Sequence, residues 1–218
     1  MNIYSNLPIN VKPPSRADAT ASNFADWVWE QTHKEYKSNI PKYQKEERLK
    51  QGKITHELID FFFKFRWAHE ELMPGEASDW DIIFTEEHGH SSNYFIASAL
   101  KINNQSVRCK PDVVLKHKTL DKILIIERKT TRLSDKFVPK DGWANLAAQL
   151  WCYAWIDEWV NCKDVILVGQ IWQRTWANSL TMLHSHPFYQ RNDIRYHDAC
   201  LRWFQKYGGD FFAPSLES

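Results

Sequence analysis

Three ionisable side chains near the middle of the chain stand at the ends of two apolar runs. Asp112 begins one run, Glu127 and Lys129 end the other, and a polar turn over residues 116–121 separates them. Short apolar runs bounded by turn residues predict buried strands, so we expect a hairpin that places Asp112 beside Glu127. Two such carboxylates repel unless a cation lies between them, and oxygen ligands suit Mg²⁺ or Mn²⁺. Lys129 shares the face of Glu127, where an ammonium can orient or deprotonate a water and offset charge on a phosphate.

The residues around these side chains resemble the signature of the PD-(D/E)xK nuclease superfamily. Pro111-Asp112 matches the first half of that signature, and Glu127-Arg128-Lys129 matches the second half. The resemblance implies hydrolysis of phosphodiester bonds, with Asp112, Glu127 and Lys129 as the catalytic residues. It also implies one or two divalent ions held by Asp112, Glu127 and the backbone carbonyl of Arg128. The simpler alternative is an antiparallel hairpin with solvated charges at its ends.

Two further motifs are similar to those of the RecB-like branch of the superfamily. Gly52 is followed four residues later by His56 in a predicted helix, and the resemblance makes His56 a further metal ligand. Gln149 and Tyr153 share one face of another predicted helix and match the Q-x-x-x-Y motif, which contacts the substrate backbone in that family. The alternatives are a hydrogen-bonded histidine and an ordinary amphipathic helix. All four motifs follow the order of the family between residues 45 and 173.

The expected fold class is α/β, with a restriction-endonuclease-like α-β-β-β-α-β core that has a mixed central sheet flanked by helices. The strand that ends in Glu127-Arg128-Lys129 is followed by a helix and then by another strand. A strand–helix–strand unit of this kind implies at least one parallel pair of strands.

Hydrophobic periodicity and breaker residues set the predicted elements. We expect helices over 24–36, 45–67, 143–159 and 194–207, and strands over 81–87, 93–102, 110–115, 122–131 and 164–173. Ser22 or Asn23, Asp141 and Asp193 are the expected N-caps, and Gly208-Gly209 should end the last helix. Trp151, Trp155 and Trp159 should form a ridge along the third helix, and the chain after Trp176 should be a loop through Pro187.

The net charge of +1 argues against a wholly basic surface that would coat a nucleic acid. The segment from Lys101 to Lys140, however, holds eleven Lys or Arg residues against four Asp or Glu residues. This excess surrounds the expected site, where a phosphate backbone would lie, although a solvated basic face is the alternative. We therefore expect a nucleic-acid partner, with DNA favoured. The candidate substrate contacts are Lys110, Arg128, Arg132, Gln149 and Tyr153, and residues 132–140 are expected to form a mobile loop over the site.

The length of 218 residues suits a single domain with a sizeable core. Within it we expect an N-terminal arm over 1–22, a catalytic core over 45–173 and a C-terminal helix within 190–210. No apolar run approaches the ~20 residues of a transmembrane helix. Residues 1–23 lack the apolar stretch of a signal peptide, so a cytoplasmic location without a membrane partner is expected.

Other residues are of types that can bind metals or stack on bases, but most of them have an ordinary structural explanation. Four scattered cysteines predict reduced thiols: Cys109, Cys152, Cys162 and Cys200. They lack the spacing found in relatives that carry an iron–sulphur cluster, so no such cluster is expected. His88 and His90 lack a zinc partner at the usual spacing. Further acids rank below the main set, namely Glu57, Glu86 and Glu87. Most tryptophans should lie in the core, while Trp143 or Trp176 could stack on bases.

The resemblance favours a DNA exonuclease that works in recombination, repair or the processing of phage or defence DNA. An endonuclease of a defence or restriction type is one alternative. A non-catalytic module of the same fold that binds nucleic acid is another. Since no helicase motif is present, any unwinding would need a helicase or recombination partner protein.

Overall fold

The computed structural model describes residues 2–5, 7, 11–33, 46, 50, 77–85, 94–133, 135–139, 142–174, 180–182 and 188–214. The helices in this part of the chain are α1 (Ala21–Thr32), α2 (Ala144–Tyr153) and α3 (Ile194–Tyr207). The strands are β1 (Trp80–Thr85), β2 (Phe95–Ile102), β3 (Gln105–Cys109), β4 (Val113–His117), β5 (Lys122–Thr131), β6 (Asp164–Arg174), β7 (Leu180–Met182), β8 (Phe188–Gln190) and β9 (Gly209–Phe211). Short 3₁₀ turns cover Ala77–Asp79 and Asp135–Phe137.

The central sheet confirms the predicted α/β class. Its strand order is β1-β4-β5-β6-β7, and β8 also pairs with β6. β5 and β6 run parallel, as the strand–helix–strand order predicts, whereas β1, β7 and β8 join by antiparallel pairing. The sheet is therefore mixed, and helices flank it.

The β4–β5 hairpin matches the prediction from the two apolar runs. Side chains alternate between two buried layers: Ile123 and Ile125 face the main core, while Leu124 and Ile126 face a second cluster. The ring of His117 ends β4, and its Nδ1 accepts hydrogen bonds from the backbone N–H groups of the next turn. The hairpin is thus fixed by burial on both faces and by a histidine-capped turn.

The predicted strand over 93–102 forms, but it belongs to a second sheet of order β3-β2-β9. β3 was not predicted, although Asn103 and Asn104 mark a two-residue turn with positive φ angles of 51° and 62°. Asparagine tolerates this conformation, and such turns join antiparallel strands directly. β1, rather than β2, is the partner of the Asp112 strand in the central sheet.

α2 ends at Tyr153, so the predicted helix over 143–159 is wrong beyond that residue. The N–H groups of Trp155 and Ile156 donate to carbonyls three residues earlier, so the chain enters tight turns instead of continuing the helix. The buried guanidinium of Arg191 holds the turns further on. It donates to the carbonyls of Trp159 at 3.2 Å and Val160 at 2.7 Å, and also to that of Cys162. Carbonyls held in this way follow a series of turns, so the predicted ridge of Trp151, Trp155 and Trp159 along one helix does not form.

The predicted caps agree with the structure at α3 but not at the start of α1 or α2. Asp193 caps α3 by accepting from the N–H groups of Arg195 and Tyr196, and Gly208 ends it at a φ of 101°, both as predicted. The α1 cap is Thr20 rather than Ser22 or Asn23, since its side chain accepts from the N–H of Asn23. α2 starts after Trp143 without a side-chain cap, and Asp141 lies outside the described residues.

The chain termini carry structure that the sequence did not indicate. In the predicted arm, Ile3, Val11 and Ala19 are buried in the main core. β7 lies inside the segment predicted to be a loop, and β9 follows directly after the end of α3. The predicted helix over 45–67 lies outside the described residues, apart from isolated positions. Among the described helices, none has the length and apolar character needed to cross a membrane.

Replacement of Arg191 by methionine should destabilise the fold by about 2–4 kcal/mol, because buried carbonyls lose a charged donor. Urea unfolding followed by circular dichroism would measure this change in the free energy of unfolding. Arg202→Met is the matched control, since Arg202 lies exposed on α3. Equal unfolding midpoints for both variants would show that Arg191 does not hold the turns after α2.

Stability should fall as the pH drops below about 6.5, in part through His197. Burial lowers the pKa of His197, against a smaller raising effect of Asp198. Its Nδ1 accepts a hydrogen bond from Trp151 Nε1 at 3.2 Å, so protonation at this nitrogen breaks the bond. The unfolded chain therefore binds the proton more readily, and the contribution of His197 is fully present only above the unfolded pKa.

The variant His197→Asn keeps an acceptor near Nδ1 and removes the titration. Its thermal midpoint should fall less than that of the wild type between pH 7.5 and pH 5.5, on the basis of an unperturbed histidine pKa of about 6.5. Parallel curves for the two proteins would exclude His197 as a contributor.

Candidate functional site

The register of the β4–β5 hairpin brings Asp112 and Glu127 together. Val113 pairs with Ile126, so Asp112 lies opposite Glu127 where β4 begins. The backbone N–H of Arg128 donates to Asp112 Oδ2 at 2.6 Å, which orients this carboxylate. Both acids are buried, with 5% of Asp112 and 3% of Glu127 exposed. The predicted proximity of the two acids is confirmed, and their charges are not solvated.

Lys129 supplies the compensating positive charge. Its Nζ lies 2.7 Å from Glu127 Oε1, because alternate residues of β5 share a face. Burial would lower the pKa of Lys129, but the charge and hydrogen bond of Glu127, followed by the charges of Asp112 and Asp26, outweigh burial and raise it. The lysine is therefore an ammonium ion at neutral pH.

A chain of hydrogen bonds links Lys129 to the strand that carries Asp112. Lys129 Nζ donates to Gln149 Oε1 at 2.8 Å, and Gln149 Nε2 donates to the Tyr153 hydroxyl at 2.7 Å. The Tyr153 hydroxyl in turn donates to the carbonyl of Lys110 at 2.9 Å. Since an ammonium ion only donates, the direction of every bond is fixed. Burial, followed by the charges of Glu127 and Asp112, raises the pKa of Tyr153 well above its ordinary value, so it stays neutral and keeps its proton.

The residues predicted to contact the substrate differ in how exposed they are. Gln149 and Tyr153 are buried, so in this arrangement they position Lys129 and Lys110, and contact with a substrate backbone stays a prediction. The Arg128 guanidinium is also buried and points to the sheet face opposite Glu127 and Lys129. Lys110 is half-buried and Arg132 is exposed at the end of β5.

Asp26 on α1 is an acid near the site that the sequence did not indicate. Although its side chain is exposed on the helix, partial desolvation raises its pKa, while the charge of Lys129 lowers it. Its charge also contributes to the raised pKa of Lys129. No local motif marks Asp26, because only the packing of α1 against α2 brings it near β5.

Most of the other predicted positions lie outside the part of the chain that the structure describes. His56 and the lower-ranked residues Glu57, Glu86, Glu87, His88 and His90 lie outside the described residues, as does Trp176. Trp143 is buried in the main core, and its ring packs edge-on against Trp29 at 6.0 Å. The core therefore accounts for Trp143 without a stacked base.

The donor set suits a hard divalent cation. Asp112 and Glu127 offer buried carboxylate oxygens, and no group of three or more His, Cys, Asp or Glu side chains that could hold a metal is found among the described positions. The N–H of Arg128 points to the Asp112 side, and in a strand the carbonyl of the same residue points to the same neighbour. Since Mg²⁺ commonly uses one or two carboxylates plus water and substrate oxygens, these residues fit it.

Comparison with known proteins adds little to this picture. No protein-family model matches the chain, and no curated protein matches it. Among solved structures, the crystal structure of SSO0001 is similar at a TM-score of 0.41 and 16% identity, over 89% of this chain and 77% of that chain. Likeness at this level carries no functional argument, so the site must be interpreted from its own geometry.

Replacement of Tyr153 by phenylalanine should destabilise the protein by about 1–3 kcal/mol, because Gln149 and the Lys110 carbonyl lose a buried partner. Chemical denaturation would measure this loss. Tyr94→Phe is the matched control, since the Tyr94 ring is exposed. If both variants unfold at the wild-type midpoint, the hydrogen bonds of Tyr153 do not stabilise the protein.

Proposed function

We propose that the chain is a divalent-metal-dependent nuclease that hydrolyses phosphodiester bonds. The observation that carries the proposal is the buried cluster of Asp112, Glu127 and Lys129, at the end of the sheet where β4 begins. The alternative of a hairpin with solvated charged ends predicts exposed carboxylates, whereas 5% and 3% of these two residues are exposed. Buried, coupled ionisable groups at strand ends are typical of catalytic sites.

Asp112, Glu127 and the carbonyl of Arg128 are the residues that would hold a divalent ion. Such an ion, when bound, activates water and stabilises negative charge on a phosphoryl group. The N–H of Arg128 keeps the Asp112 carboxylate in a fixed orientation, so little reorganisation is needed at this ligand.

Lys129 acts in this proposal as a fixed cation. Its raised pKa favours the ammonium form, which orients the attacking water and neutralises charge on the phosphate rather than removing a proton. Gln149 holds the ammonium group in place, and Tyr153 holds the backbone that leads into Asp112. In this proposal the half-buried Lys110 and the exposed Arg132 contact the phosphate backbone.

The finer parts of the proposal rest on the family resemblance. They are a RecB-like exonuclease acting on DNA, a cytoplasmic location, and work beside a helicase or recombination partner. One observation favours a second candidate, a non-catalytic module that binds nucleic acid. The Lys129 ammonium group forms an ion pair with Glu127, an arrangement that a protein without a metal could also use. Cleavage therefore has to be tested directly.

End-labelled linear DNA should be degraded by the wild type with Mg²⁺ or Mn²⁺ and left intact with a chelator. Lys129→Ala and Asp112→Asn should each slow cleavage by about a hundredfold or more, because each removes a group that acts on the reacting phosphate. Gel analysis of the labelled products would measure the rates and reveal the polarity of digestion.

Lys122→Ala is the matched control, since Lys122 lies at the other end of β5 and pairs with Asp164 at 3.5 Å. Its cleavage rate should equal that of the wild type. A closed circular substrate separates the two nuclease types, because an exonuclease leaves it intact. Binding of DNA or RNA without cleavage under any metal would reject the nuclease and favour the binding module.

A further inference from the structure

The segment that joins β5 to α2, residues 132–143, presents apolar side chains to solvent beside the site. Leu133 is 43% exposed and Phe137 is 63% exposed. Single exposed apolar residues are ordinary on protein surfaces and need no explanation. Phe137 is different because a buried residue follows it, a cation lies beside it and the segment adjoins the candidate site.

Two local hydrogen bonds and one buried side chain shape the described residues on either side of Phe137, and the mobility expected from the sequence stays a prediction. The N–H of Leu133 donates to the Thr131 hydroxyl at 3.1 Å, and the N–H of Gly142 donates to the Pro139 carbonyl at 2.8 Å. Val138, directly after Phe137, is buried in the main core. The 3₁₀ turn therefore presents the Phe137 ring to solvent directly beside a buried residue of the main core.

A cation lies beside the exposed ring, and a second basic side chain is exposed in the same segment. Lys136 Nζ lies 4.9 Å from the centroid of Phe137, and both Lys136 and Arg132 are exposed. An aromatic ring beside basic side chains is the combination that holds single-stranded nucleic acid, because the ring stacks on a base and the cations meet phosphates. A base inside a duplex offers no free face to such a ring.

The position of the segment connects it to the catalytic cluster. It leaves the carboxyl end of the strand that carries Lys129 and enters the helix that carries Gln149, and these two side chains are hydrogen-bonded. Phe137 follows Thr131 by six residues, which limits their separation to about 20 Å. The ring is therefore within reach of nucleotides that adjoin a phosphate bound at Lys129.

We propose that Phe137 stacks on an unpaired base while Lys136 and Arg132 contact the phosphates beside it. The preferred substrate is then a single strand, or a duplex end that offers unpaired nucleotides. This inference rests on the proposed function and adds a substrate class to it.

The test is fluorescence anisotropy with the full chain, using labelled oligo-dT, the same strand with abasic positions, and a blunt duplex of equal length, with Ca²⁺ in place of Mg²⁺. Phe137→Ala should weaken binding of oligo-dT by about fivefold to a hundredfold, the range expected for one stacked base. Phe137→Trp should retain the affinity. Phe137→Ala should leave duplex binding unchanged, and the abasic strand should bind equally to Phe137→Ala and the wild type.

Phe212→Ala is the matched control. Phe212 is also an exposed phenylalanine beside a lysine, 57% exposed with Lys101 Nζ at 5.8 Å, but it follows β9 in the second sheet. Its loss should not change binding. If the wild type cleaves DNA while both alanine variants bind oligo-dT equally well, stacking by Phe137 is wrong and the nuclease proposal stands. If the wild type neither binds nor cleaves any nucleic acid, both proposals fail.

Discussion

The contact between Lys129 and Glu127 is the interaction on which the site depends. Two carboxylates are buried on neighbouring strands, and an uncompensated buried charge destabilises a fold by about 3–5 kcal/mol. The Lys129 ammonium group, 2.7 Å from Glu127, offsets this charge. Gln149 and Tyr153 then connect the ammonium group to the strand that leads into Asp112. The hairpin, α2 and the site therefore stabilise one another, and none of the three is arranged independently.

The same hydrogen bonds restrict the orientation of the side chains in the site. Each polar group in the chain from Lys129 to Lys110 has a defined donor or acceptor role, so the groups cannot reorient at low cost. The raised pKa of Lys129 keeps its charge at neutral pH. In the proposed nuclease, this cation would stabilise negative charge that builds up on a phosphoryl group. The ion pair between Lys129 and Glu127 would also suit a binding protein that holds no metal.

Local patterns in the sequence predicted the elements that carry the site. The alternation of the apolar runs placed Asp112 opposite Glu127, and a helix between two strands implied the parallel β5–β6 pair. Local patterns could not predict the effects of residues that lie far away in the sequence. The turns that follow α2 are held by Arg191, which lies far along the chain, and Asp26 nears Lys129 only through helix packing. The Asn103-Asn104 turn between β2 and β3 does carry a local signal for a hairpin, but β3 was not among the predicted strands.

The central claim is that Asp112 and Glu127 form a divalent-metal site, and binding of Mn²⁺ tests it most directly. Electron paramagnetic resonance counts free Mn²⁺ in titrations of the wild type, Asp112→Asn and Glu127→Gln. The asparagine variant still accepts the Arg128 N–H, so its fold should persist. The account predicts that the wild type binds Mn²⁺ and that each variant loses at least about tenfold in affinity, as loss of a ligand should. Equal affinity in all three proteins, or none in the wild type, would contradict it.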